Sequence, residues 1–220
     1  MKVSLIVLSA LLGTAVASAQ SEKFIKAMEP RVAQVDSNNN VDGWRDLANA
    51  FERIGEAEKT QWLPYYYAAF AQVMAGYGSM PMDGSMGDNS SISDPFVEKA
   101  AQLLDKAEAL SPDNSEICCI RKMIHSLSMR GNPMSRYMTD GARASEALAR
   151  AKSLDENNPR AFILEGQDKF YTPEQYGGNK EEAKKLFERA NEIFMTIRPA
   201  NSLVPQWGRG QVNYFLSQFK

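Results

Sequence analysis

Residues 157–171, NNPRAFILEGQDKFY, followed by TPEQYGGN (172–179) and KEEAKKLFERANEI (180–193), decide the fold. The stretch reads as a helix, a polar loop and a second helix. In the second helix Ala183, Phe187, Ala190 and Ile193 recur at spacings of four, three and three, which puts them on one face. Alanine at two of these positions predicts that another helix packs very closely there. The same comb occurs upstream as Ala144, Leu148, Ala151 and Leu154, and as Ala100, Leu104, Ala107 and Leu110, at offsets of 39 and 44 residues. Three copies at such a period predict a helical repeat array: a right-handed solenoid, all-α, of about four helix pairs with a C-terminal cap helix.

Outward from the combs, the chain begins with Lys2, an uncharged apolar run from Val3 to Val16, and Ala17-Ser18-Ala19 ahead of Gln20. The run is shorter than the ~18 to 20 residues needed to span a bilayer. It reads as a secretory signal, residues 1–19, cut after Ala19, which predicts a periplasmic or secreted protein with no membrane span after cleavage. No cysteine lies near the cut to accept a lipid. Without Lys2 the chain keeps 24 basic side chains against 27 acidic, too little positive charge to neutralise a run of phosphates, so nucleic acid is excluded as a partner. Residues 20–220 are long enough for one continuous core.

The first helix is expected from Ser21 to about Asp36, with Phe24, Ile25, Met28, Val32 and Val35 on one face and Pro30 kinking or delaying it. After the polar break at Ser37 to Asn40, Asp42 can cap a second helix whose inner face is Trp44, Leu47, Ala48, Phe51 and Ile54. Pro64 opens a third helix that runs to about Gly76. Tyr77 to Asp94, rich in glycine, serine and methionine, reads as a long loop. Clear repeats then span about 63–110, 115–154 and 159–197, with 131–139 as a loop. The cap helix is placed at about 203–219, with Trp207, Val212, Phe215 and Leu216 on its apolar face.

The combs resemble the tetratricopeptide repeat, a helix pair of about 34 residues with small residues at fixed positions in both helices. Gly166 matches the small position of the first helix; Ala100, Ala144, Ala183, Ala107, Ala151 and Ala190 match those of the second, and Pro112 follows as expected. The loops within the pairs exceed the family's length by roughly five, ten and nineteen residues, and these insertions should emerge on one edge. The export signal, FYTPEQYGGN (170–179) and PQWG (205–208) look like the exported tetratricopeptide-type proteins of Bacteroidetes.

That resemblance implies a concave groove that takes a protein or peptide segment. Carried over by position, it puts Tyr67, Met74, Glu116, Met123, Ser126, Arg160, Ile163, Gln167 and Phe170 on the concave face. With so few charges, this surface suits an apolar segment or another helix. An element of the same chain, such as the last helix, could also fill it. The expected role is therefore a non-enzymatic exported scaffold or adaptor. The alternative is a carrier of a small molecule or glycan that uses Trp62, Tyr65, Tyr66 and Tyr67 as stacking surfaces.

No catalytic, cofactor or metal site is expected. The chain has no G-x-S-x-G, phosphate loop or metal-spaced cluster, and its carboxylates mostly lie beside lysines and arginines on solvated helix faces. His125 falls at an inward position and reads as a packed core residue. Cys118 and Cys119 are neighbours on a helix, poorly placed to bridge, and read as small buried hydrophobes. Met80, Met82 and Met86 could in principle hold a soft cation, but a loop that happens to contain methionine is the better account. Asp83, Asp88 and Asn89 lack calcium-loop spacing. Oligomeric state has no signature here.

Overall fold

The computed structural model describes residues 22–81 and 87–219. The signal segment 1–19, and with it the expected cut, lie outside the described residues, as do Met82, Asp83 and Met86. All regular structure described is helical. The first helix, α1 (22–35), runs through Pro30 without a break. The long helices α2 (Val41–Glu58), α3 (Trp62–Ser79), α4 (Ser90–Leu110) and α5 (Ser115–Gly131) follow. A short α6 (Pro133–Arg136) and a π-helical turn at Tyr137–Gly141 lead into α7 (Ala142–Leu154). After α8 (Pro159–Tyr171), α9 (Lys180–Thr196) and α10 (Arg209–Ser217) complete the described chain.

Local chemistry sets the helix starts. Asn40, Asn158 and Asn179 each accept a backbone N–H of the first turn, at 2.8, 2.9 and 2.9 Å, satisfying donors that a helix otherwise leaves open. The cap of α2 is thus Asn40, with Asp42 inside the first turn rather than at the cap. Gly177 takes a left-handed conformation, φ 93°, which closes the turn before α9.

The combs form the inner faces. Ala100, Leu104, Ala107, Ala151, Ala183, Phe187 and Ala190 are fully enclosed, with Ala144 and Leu148 nearly so. The last teeth differ: Leu110 is exposed and Leu154 half-buried. Close approach is visible at Gly166, where a Cβ would lie 2.7 Å from the Phe187 ring. Helix α3 is apolar all round and buried from Leu63 to Ala71, so it forms the axis on which α2, α4 and α5 pack. Pair stacking continues from α2 to α7 and thins out between α7 and α8.

Three expectations are corrected. The loop at 77–94 is shorter, because α3 continues to Ser79 and α4 begins at Ser90. Ser90 to Asp94 looks like loop sequence, but its polar groups have partners: Asp88 accepts from Ser90, Asn89 N–H donates to Gly131 C=O at 2.7 Å, and Arg136 holds both oxygens of Asp94 at 2.6 and 2.8 Å. Residues 131–139 hold α6 and most of the π turn. That turn carries one extra residue and aims Asp140 inward, where it accepts from Ser128 Oγ at 2.8 Å beside His125 Nδ1 at 3.5 Å. His125 is half-buried, and its burial holds the imidazole below its ordinary pKa against the pull of Asp140.

The third correction is the C-terminus. Residues 199–208 are not helical; they form a strap that covers side chains of α3 and α8 and leaves only Arg209–Ser217 for α10. Trp207 stacks on Phe70 with ring centroids 4.6 Å apart and planes at 19°, and its Nε1–H donates to Tyr66 Oη at 2.8 Å. Tyr67 donates to the Leu203 carbonyl at 2.9 Å. Beneath Trp207, Tyr66 donates to Glu116 at 3.0 Å, and Glu116 receives Arg160 Nε and an NH2 group at 2.7 and 2.6 Å. Arg160 is 4% exposed. Its desolvation works to lower its pKa, but Glu116 outweighs that and raises it, so the guanidinium stays charged.

Two stability outcomes follow from this packing. Gly166→Val should cost about 1–3 kcal/mol in denaturant unfolding, since its side chain must displace the Phe187 ring; an unchanged midpoint would contradict the close contact. Glu116→Ala strands Arg160 and should cost about 3–5 kcal/mol, with near-ultraviolet dichroism reporting a loosened Trp207.

Candidate functional site

The groove residues carried over from the repeat resemblance divide into a covered half and an open half. In the covered half, Tyr67 (1% exposed), Arg160 and Ile163 lie beneath the strap, and a Cβ at Gly208 would lie 2.6 Å from Ile163 Cδ1. Glu116 is tied to Arg160 and Tyr66, and Met123 is buried in the core. This part of the sequence-derived groove is filled by the protein's own Leu203 and Trp207. The aromatic run on α3 is likewise enclosed: Tyr65, Tyr66 and Tyr67 are buried and Trp62 is half-buried, because α3 is the central helix. Met80 is also buried, at 4% exposure, and so is not offered by a loop.

Met74, Ser126, Gln167 and Phe170 belong to the other half and remain partly accessible. Phe170 turns toward α10, with Phe215 at 5.3 Å and Phe219 at 5.7 Å. Around them stand residues that the repeat positions did not single out. Tyr77, at the end of α3, donates to the Met123 carbonyl at 3.3 Å; enclosure of its hydroxyl raises its pKa, with Asp168 adding to the rise and Arg130 and Ser126 opposing it. Lys122 bridges to Asp168 at 2.7 Å.

Tyr171, the last residue of α8, is 66% exposed, and Tyr214 on α10 is 57% exposed. Both pack on the Phe215 ring, at 5.8 and 5.3 Å between centroids. Phe215 itself stacks flat on Phe187 at 4.5 Å and 3°, so the two tyrosines stand on a rigid base. Partial burial and then Tyr214 raise the Tyr171 pKa, while Arg130, from the end of α5, lowers it. Tyr171 is therefore a neutral phenol at neutral pH. Its exposed ring is available at the surface. The sequence carried this signal only as a tyrosine at a helix end.

The open half can therefore offer flat apolar faces from Tyr171 and Tyr214, a phenolic hydroxyl, and a guanidinium at Arg130. Such a set suits a planar, partly apolar ligand bearing negative charge. Among the described residues no group of three or more His, Cys, Asp or Glu side chains could hold a metal ion, and no helix is long and apolar enough to cross a membrane.

No protein-family model matches the sequence, and no curated protein does. Among solved structures, the HusA haemophore from Porphyromonas gingivalis is similar, with a TM-score of 0.77 and 33% sequence identity over 90% of this chain and 92% of that one. With a haemophore as its relative over nearly its whole length, this is a non-enzymatic protein, and the chain belongs to the HusA haemophore family.

Proposed function

We propose that the protein is an exported carrier of haem, holding the porphyrin on the open half of the concave side. The observation that carries this reading is kinship with a haemophore at 33% identity across 90% of the chain. It favours the small-molecule alternative over the scaffold, and the enclosure of the α3 tyrosines leads us to put the stacking surface at Tyr171 and Tyr214 instead. The tetratricopeptide-like order of the helix pairs is retained as part of this reading, as the frame that brings the ends of α3, α5 and α8 together.

A porphyrin presents two wide apolar faces and, on one edge, two carboxylates. Tyr171 and Tyr214 would take a face, and Arg130 would pair with a carboxylate in charge-assisted hydrogen bonds. Tyr171 would contribute stacking and hydroxyl contacts. His125 is engaged with Asp140 at the π turn. Binding would then rest on shape, stacking and charge. That suits a carrier, whose ligand must leave as well as arrive.

Haem titration followed in the Soret band tests this. The double variant Tyr171→Ala/Tyr214→Ala should bind about ten-fold more weakly, two stacking contacts being worth about 1–2 kcal/mol together. Arg130→Ala should weaken binding a few-fold, and less at high salt. Both tyrosines are exposed, so the helical dichroism should not change. Unchanged affinity in all these variants would place haem elsewhere, and a wild-type protein that fails to bind haem would overturn the carrier reading.

A further inference from the structure

The floor of the open half holds an ion pair between α5 and α8, in which the Lys122 ammonium meets Asp168 at 2.7 Å. The pair is lopsided: the Lys122 side chain is 5% exposed and that of Asp168 51%. Asp168 thus reaches in from the surface to the ammonium, and its departure would uncover the charge. Among the described residues Asp168 is the one hydrogen-bond acceptor of Lys122, although an ammonium carries three donors. The pair also borders the aromatic face. Lys122, Ser126 and Arg130 follow one another at four-residue spacing along one side of α5. Asp168, Arg130 and Ser126 all act on the Tyr77 hydroxyl, and Arg130 acts on Tyr171 as well. Lys122 and Arg130 are therefore two cations on one wall of the site, roughly 12 Å apart along the helix axis.

The two cations differ in what they can accept. Arg130 is exposed and can take an anion directly. Lys122 cannot stand alone: a buried charge stripped of its partner is strongly destabilising, so Asp168 can leave only when another anion replaces it. Asp168 can leave readily, because half of its side chain already meets water. A carboxylate arriving at this face is such an anion.

Resting on the haem-carrier reading, we propose that the Lys122–Asp168 pair is an exchangeable latch: Asp168 neutralises Lys122 in the empty protein, and one carboxylate of the porphyrin takes its place while Arg130 holds the other. The site then selects planar tetrapyrroles with two free carboxylates. A porphyrin whose carboxylates are esterified has the same apolar faces but cannot make the exchange. Asp168 returns to Lys122 as the ligand leaves, so release never bares a buried charge.

Titration of haem and of haem dimethyl ester in the Soret band, with the wild type and single variants, tests this. The wild type should bind haem more tightly than the ester by about ten-fold or more. Lys122→Gln should weaken haem binding about ten-fold, while Asp168→Asn, which removes the competing anion, should strengthen it a few-fold. Neither should change affinity for the ester, and Lys185→Gln, on the exposed side of α9, should change affinity for neither ligand. A bridge that only ties α5 to α8 predicts otherwise: both variants would weaken haem and ester alike, and that result would overturn the proposal. So would a wild type that binds haem and its ester equally, which leaves the carrier reading standing. A wild type that binds neither overturns the carrier reading and the latch together.

Discussion

The ion pair between Arg160 and Glu116, sealed under Trp207, is the constraint on which the concave side depends. Two charges removed from water are tolerated only when nearly every donor and acceptor is used. Here Glu116 takes Arg160 and Tyr66, Tyr66 takes Trp207, and the guanidinium also faces the Trp207 and Phe194 rings at 5.8 and 6.0 Å. Each partner comes from a different part of the chain: α3, α5, α8 and the strap. The network therefore fixes the α8–α9 pair to the earlier helices across a place where direct helix packing is thin. It also makes the side chains beneath the strap part of the structure, and leaves the surface around Tyr171 and Tyr214 open.

The combs were legible in the sequence because a helix face repeats its geometry locally, and Ala100, Ala144 and Ala183 do face inward. The start of α8 after Asn158 was legible as the end of the second repeat, whereas the cap of α2 is Asn40 rather than Asp42. The strap was not legible. Trp207, Val212 and Phe215 suit a helix face as well as they suit a strap followed by a helix, and only the stacking of Trp207 on the distant Phe70 selects between them. Ser90 to Asp94 misled in the same way, because Arg136 and the Gly131 carbonyl lie far along the chain.

The candidate site was legible in part. Position in the repeat put Met74, Ser126, Gln167 and Phe170 on the concave side, where they remain partly accessible. It could not show that Tyr67, Arg160 and Ile163 would be roofed over. Nor could it find Tyr171 and Tyr214, which come together only because α10 lies across the end of α8 on the Phe215 ring. The proposed function rests on kinship, and the geometry then suggested which surface could serve it.

The measurement that tests the account most directly is a footprint of haem on the labelled protein, using the broadening that its paramagnetic iron imposes on nearby amides. The account predicts loss of signal around Tyr77, Arg130, Tyr171 and Tyr214, with the Trp207 indole undisturbed under its strap. Broadening centred on residues 203–208, with release of the Trp207 indole, would contradict it and make the strap a lid over the true site.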